Sequence, residues 1–310
     1  MSKVSIIGAG FVGSTTAFSL LAQNVASEIA LVDVNKERAQ GEALDLAHGL
    51  VYSNSCTIRY SDTYTITRNS QIIIITAGAA QKPGETRLDL VTKNAAILKR
   101  ILDNTHRYSP HATYIIISNP VDILTMLAKR YLKRKGTVFG SGTALDTARL
   151  RDYLSETVHV NPKSIHAYVL GEHGDSSFPA WSTANIGTVP IKTYPGLTKE
   201  QLDNAFRRTR ESAYEIIAKK GATYYAIALT ATHICTLILS DRKQIIPLST
   251  VPEPYGIRDV SLSVPCVVGK NGIEHIISLP LSRRESRLLE RSADTLRPYV
   301  QQGWRSLKHA

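Results

Sequence analysis

Two short runs in the chain have residue types suited to proton transfer: Asp146-Thr147-Ala148-Arg149 and Gly171-Glu172-His173-Gly174-Asp175. In the first, a carboxylate and a guanidinium stand three residues apart, a spacing that puts side chains on one face of a helix. In the second, a histidine lies between glycines, in a turn that can leave its imidazole exposed. A carboxylate on one ring nitrogen fixes the tautomer and raises the basicity of the other nitrogen. An arginine fork beside it grips a substrate carboxylate in one orientation. Together these groups make a proton-transfer site for a small carboxylic acid. Singly, each has a bland reading: a loop histidine bonded to the backbone, and a surface ion pair. Features upstream favour the catalytic reading.

The first of these is Gly8-Ala9-Gly10-Phe11-Val12-Gly13, a G-x-G-x-x-G that follows an apolar β run and opens a helix. In that context the motif binds a dinucleotide. Gly8 permits the tight turn, Gly10 lets a pyrophosphate approach the backbone, and Gly13 lets helix and strand pack closely. Phosphates then sit on free N–H groups at the helix N-terminus. Gly8, Gly10, Val12 and Gly13 are therefore assigned to cofactor binding. Asp33 lies twenty residues after Gly13, at the end of the second strand, where its carboxylate can accept from ribose hydroxyls. It would repel a 2′-phosphate, so the expected cofactor is NAD. The second feature is the segment Ala77–Arg87, a loop at the carboxyl end of a parallel strand, where open α/β sheets bind ligands. Pro83-Gly84 marks its tip and Arg87 lies at its far end.

Alternating elements position these groups. Strands are expected at Val4–Ile7, Glu28–Val32, Ile72–Thr76, Tyr114–Ser118 and Val138–Phe139. Helices are expected at Ser14–Leu21, Lys36–His48 and Leu90–Tyr108, with a fourth opened by Pro120 and running to Lys135. Such alternation implies a Rossmann-type, doubly wound parallel sheet. From about Ser141 the pattern changes. Helices are expected at Ala144–Thr157, Lys199–Lys219 and Ala222–Leu239, antiparallel strands at Gln244–Val251 and Val260–Val268, and a final amphipathic helix from Arg284 to Gln301. The fold class is thus α/β: an NAD-binding domain over 1–141, then an α+β catalytic domain over 142–310.

The bulk composition agrees. A chain of 310 residues, 43% hydrophobic and 20% charged, suits a soluble globular protein. Cys56, Cys235 and Cys266 are scattered, odd in number and without metal-ligand spacing. They point to a reducing, cytoplasmic setting and away from a disulfide scaffold or a metal site. Met1 runs straight into a strand-like segment, which argues against a leader, and no apolar stretch is long enough to span a bilayer. The net charge of +11 raises the question of nucleic acid. The basic residues are dispersed, however. Lys129, Arg130, Lys133, Arg134 and Lys135 close a helix, where cations suit the dipole. Arg283, Arg284, Arg287 and Arg291 alternate with acids, and no aromatic side chains interleave as stacking platforms. A basic surface that attracts anionic small molecules is the favoured reading, with neither nucleic acid nor membrane as partner.

Taken in order, GAGFVG, Asp33, GEALDLAH, TAGAAQKPGETRLDL, SNPVD, GSGTALDTARLR, HAYVLGEHGD and KGATYY resemble the L-lactate/malate dehydrogenase family, essentially from Val4 to Leu296. Within it the chain is more similar to the bacterial L-lactate enzymes. The resemblance implies roles. His173 is the acid–base group, held by Asp146. Arg149 binds the substrate carboxylate, and Arg87 polarises the carbonyl as its loop closes. Asn119 bonds the substrate oxygen beside nicotinamide. Gln81 faces the substrate side chain, and Thr223 lines the same pocket. Asp33, Arg38 and Tyr64 flank adenosine, while Gly78 and Ala79 border the cofactor groove. The family also implies a tetramer, a place in glycolysis or fermentation, and, in some members, activation by fructose 1,6-bisphosphate at the positions of Arg151 and His166. One departure, TITRNSQ at Thr65–Gln71, touches no catalytic position. Two other functions compete with pyruvate reduction: malate dehydrogenation on the same scaffold, disfavoured by Gln81, and a non-catalytic protein that binds through its basic surface.

Overall fold

The computed structural model describes residues 2–53, 55–79, 86–133 and 136–309, with Arg87 described by its backbone alone. The first half runs β1 (Lys3–Ile7), α1 (Phe11–Ala22), β2 (Glu28–Val32), α2 (Lys36–His48), β3 (Thr57–Ser61), β4 (Ile72–Ile75), α3 (Arg87–Tyr108), β5 (Thr113–Ile116), α4 (Val121–Leu132) and β6 (Val138–Gly140). These six strands pair in parallel in the order β3-β2-β1-β4-β5-β6. β4 is four isoleucines, all buried, as a strand covered on both faces must be.

The second half runs α5 (Ala144–Val158), β7 (Ile165–His166), β8 (Val169–Leu170), β9 (Phe178–Pro179), β10 (Asn185–Ile186), β11 (Val189–Pro190), α6 (Lys199–Lys220), α7 (Tyr225–Leu239), β12 (Gln244–Thr250), β13 (Leu262–Gly269), β14 (Gly272–Ile276) and α8 (Arg283–His309). β12, β13 and β14 form an antiparallel meander. It continues the parallel sheet, because Ser249 of β12 pairs with Gly140 of β6, giving nine strands in one sheet among the described residues. The turn of the chain near Ser141 is therefore not a break in packing. The larger core joins β1–β6 to Leu248, Val264, Leu289 and Leu296 of the second half. A smaller core gathers Leu150, Leu154, Ile165, Ile186, Leu202 and Ala205.

Several bounds differ from the sequence reading. Pro120 caps α4 and precedes its first turn, and the helix ends at Leu132, where Lys133 turns left-handed. α7 starts at Tyr225, leaving Ala222–Tyr224 non-helical after the left-handed Gly221 that ends α6. There Tyr224 stacks on Phe11 at 5.3 Å, with the Lys220 ammonium 3.5 Å from its ring centre. α8 runs past Gln301 to His309, burying Gly303 and Leu307 in continuation of its apolar stripe. The two-residue strands are too short to register as strands in the sequence, while β3 (TIRYS) and β14 (GIEHI) are only partly buried and lack the continuous apolar run that marks β4.

Candidate active site

The cofactor turn lies between β1 and α1. Gly8 has φ +106°, a conformation that favours glycine. A Cβ at Gly13 would lie 1.8 Å from the Gly8 carbonyl oxygen, so helix and strand meet at this position only without a side chain. Gly10 caps α1 with no side-chain bond, and the first turn holds no acidic residue. Its N–H groups and positive dipole end are thus available to a pyrophosphate. Asp33 braces the turn: its carboxylate accepts from the N–H groups of Ala9 at 2.7 Å and Asn35 at 2.9 Å. Arg38 lies beside the same turn, with its guanidinium carbon 6.0 Å from the Phe11 ring centre. Tyr64 is half-buried, with Asp33 and Arg100 near enough to act on its phenol, and burial raises its pKa. Val12 packs against the main core. The residues present fit a dinucleotide, with available N–H groups at the start of α1 and the Asp33 carboxylate beside the turn.

Asn94 connects this groove to the substrate end. Its buried side chain accepts from the Ala79 N–H at 2.7 Å and donates to the Asn119 carbonyl at 2.7 Å. Gly78 lies against it, since a Cβ there would touch Asn94 Oδ1 at 3.4 Å. Ala79, Gly78 and Asn119 are thereby held together at the carboxyl ends of β4 and β5. Asn94 itself was not singled out in the sequence, where it reads as one polar residue on an amphipathic helix. Gln81 and the side chain of Arg87 lie outside the described residues. The backbone of Arg87 opens α3 behind a capping box made by Thr86 and Asp89. Thr223 is half-buried in the short segment before α7.

The proton-transfer group is assembled from two elements. Asp146 stands in the first turn of α5, where the helix dipole favours an anion. Its Oδ2 lies 2.6 Å from His173 Nδ1, and its Oδ1 accepts from Arg149 Nη1 at 3.1 Å. Both runs first read in the sequence therefore meet on one carboxylate. Asp146 and Arg149 keep only 14% and 12% of their side chains exposed, whereas His173 keeps 31%. That difference leaves the imidazole accessible above a sheltered ion pair. The Asp146 charge pushes the His173 imidazole up to about 9, against partial burial, with Asp122 adding to the rise. Burial would raise Asp146, but His173 and Arg149 outweigh it and hold the carboxyl below its ordinary value.

Three consecutive backbone N–H groups fix the histidine loop. Gly171 donates to the Ser263 carbonyl at 3.0 Å, Glu172 to Ser292 Oγ at 2.7 Å, and His173 to Asp122 Oδ2 at 2.7 Å. Asp122 lies in the SNPVD motif, which by itself implies no role for it. Its signal is an acid in a run, Val121–Leu127, that holds only one other polar residue, Thr125. Arg151 and His166 stand apart from this centre. Arg151 Nε donates to the Ala167 carbonyl at 3.1 Å, beside the exposed His166.

Residues 2–140 match the lactate/malate dehydrogenase NAD-binding domain, and residues 143–306 match the lactate/malate dehydrogenase alpha/beta C-terminal domain. The chain belongs to the lactate/malate dehydrogenase family; it is an NAD-binding oxidoreductase. Among its relatives are the L-lactate dehydrogenases of Kosmotoga olearia, 46% identical over 96% of this chain and 95% of that one, and of Thermoanaerobacter pseudethanolicus, 45% identical over 97% and 99%. Among solved structures, the minor L-lactate dehydrogenase of Enterococcus mundtii in its ligands-bound form superposes with a TM-score of 0.93 at 37% identity, covering 97% of this chain and 98% of that one. A lactate dehydrogenase from a Medee basin deep-sea metagenome gives 0.94 at 37% identity, with the same coverage.

Proposed function

We propose that this family member is an NAD-dependent L-lactate dehydrogenase in which His173 is the acid and base. The carrying observation is the Asp146–His173 pair, 2.6 Å apart and sharing its carboxylate with Arg149. Bound NADH supplies the hydride. His173, with Nδ1 held by Asp146, presents Nε2 to the substrate oxygen. It donates a proton to the ketone of pyruvate and takes one from the hydroxyl of L-lactate. Arg149 keeps donors beyond the one spent on Asp146 and grips the substrate carboxylate. Asn119 bonds the substrate oxygen, and Thr223 lines the pocket. Arg87 stabilises charge developing on the carbonyl oxygen. Asp33, with Arg38 and Tyr64, holds the adenosine half of the cofactor. The working boundary between cofactor and catalytic parts falls at residues 141–142. The setting is cytoplasmic, in glycolysis or fermentation.

Substrate choice rests on Gln81. Oxaloacetate carries a second carboxylate where pyruvate has a methyl group. In a water-poor site that charge needs a cationic partner. A neutral amide does not supply one. The test compares NADH oxidation with the two acids. The expected kcat/KM favours pyruvate by about 100-fold, roughly 3 kcal/mol, and Gln81→Arg moves preference toward oxaloacetate by a similar amount. Equal efficiency on both acids would transfer the assignment to malate dehydrogenation. A salt-titrated nucleic-acid binding assay beside it disposes of the basic-surface alternative, for which NADH oxidation would be absent and binding strong.

A further inference from the structure

Asp122 is 3% exposed and sits in the first turn of α4, three residues after Asn119. Its two oxygens have different partners. Oδ2 accepts the His173 backbone N–H at 2.7 Å, and Oδ1 accepts Ser249 Oγ–H at 2.6 Å. Of the three acceptors that hold the histidine loop, only this one carries charge. The others are a backbone carbonyl and a hydroxyl. A structural anchor needs no charge there, and burying one is costly without compensation. The charge has a use only if something nearby is positive during turnover, and the His173 imidazolium is that group.

We propose that Asp122 is a positioning residue for the reaction: its buried carboxylate fixes the main chain of His173 and, together with Asp146, favours the protonated imidazole. This rests on His173 as the acid–base group. The two carboxylates then divide the work. Asp146 holds the ring through Nδ1, while Asp122 sets where the ring stands by holding the backbone that carries it. The groups that face Asp122 are His173 and Glu172 on the histidine loop and Ser249 on β12, with the N-terminal dipole of its own helix. Burial raises its carboxyl to about 6, opposed by Ser249 and His173 and aided by Glu172, so it is largely ionised at neutral pH. Ser249 also forms the seam of the sheet with Gly140. The oxygen facing away from His173 is thus tied to the joint between the parallel and antiparallel strands.

The test uses the full-length enzyme and three substitutions. Asp122→Asn keeps the shape and one acceptor but removes the charge. The expected result is a kcat for pyruvate about tenfold lower, NADH affinity within about twofold of the original, and a basic limb of the kcat/KM profile moved down by about one pH unit. A merely structural anchor would not move that limb. Ser249→Ala leaves the carboxylate in place with one donor fewer, so the acid limb should move to higher pH. It decides the matter if Asp122→Asn does not fold. His173→Asn separates the two readings. If it retains turnover, the acid–base assignment fails, and this inference with it. If it is inactive while Asp122→Asn, or Ser249→Ala in its place, matches the original enzyme in kcat, KM and pH profile, only the role of Asp122 is overturned.

Discussion

At the residue scale, the proposed acid–base role of the Asp146–His173 pair predicts the pH behaviour of both directions. Pyruvate reduction consumes the imidazolium proton, and lactate oxidation needs the neutral ring. With the imidazole pushed up to about 9 by Asp146, reduction should hold its kcat/KM to near that pH and fall above it, while oxidation rises over the same interval. Asp146→Asn removes the largest cause of the rise, so both limbs should move toward the ordinary histidine value of about 6.5. Limbs that stay in place would show that another group titrates. His173→Asn should cut reduction by about 100-fold or more while NADH still binds, as measured by cofactor fluorescence. For folding the sign is equally definite. The raised pKa means the native state holds this proton more tightly than the unfolded chain. Its stabilisation is full below about pH 6.5 and is lost as pH rises through about 9.

At the element scale, the site depends on close approaches and on side chains that bind separate segments together. α1 meets β1 at Gly13, where a Cβ would press to 1.8 Å on the Gly8 carbonyl oxygen. Gly13→Ala should cost about 1–3 kcal/mol of stability, as overpacking does, and weaken NADH binding by about tenfold or more. Unchanged binding in a folded Gly13→Ala enzyme would place the pyrophosphate elsewhere. α3 reaches the site differently, through Asn94. Asn94→Ala removes the bonds to Ala79 and Asn119, at about 1 kcal/mol each. Its KM values for NADH and pyruvate should rise together, because one side chain holds a residue of each subsite. A rise confined to one of the two would show that Asn94 does not couple them.

At the scale of the whole molecule, a net charge of +11 gives the surface a long-range attraction for anions, and the expected substrate, cofactor and activator are all anionic. Arg151 donates to the Ala167 carbonyl, next in the chain to the exposed His166, at the edge of the smaller core. If two protomers face each other there, as in a tetramer, two guanidinium groups and two imidazoles would surround two phosphates, and relief of the repulsion between the guanidinium groups would stabilise the assembly. Fructose 1,6-bisphosphate should then lower KM for pyruvate or raise the tetramer fraction in sedimentation. Activation that survives in Arg151→Gln/His166→Ala would exclude this site.

The sequence determined what is local or carried by period and spacing. The glycine turn with Asp33, the bounds of β2 and α2, the buried β4 and the common helical face of Asp146 and Arg149 all follow from neighbours in the chain. So did the family and its class of reaction, because ordered motifs over nearly the whole chain are specific. Tertiary structure decided what depends on segments far apart. The sheet continues from Gly140 into Ser249, a pairing that no periodicity records. Asn94 and Asp122 looked like ordinary residues of their helices until folding set one between Ala79 and Asn119 and the other under His173. A buried polar side chain takes its meaning from the groups that satisfy it, and here those groups lie up to 127 residues away.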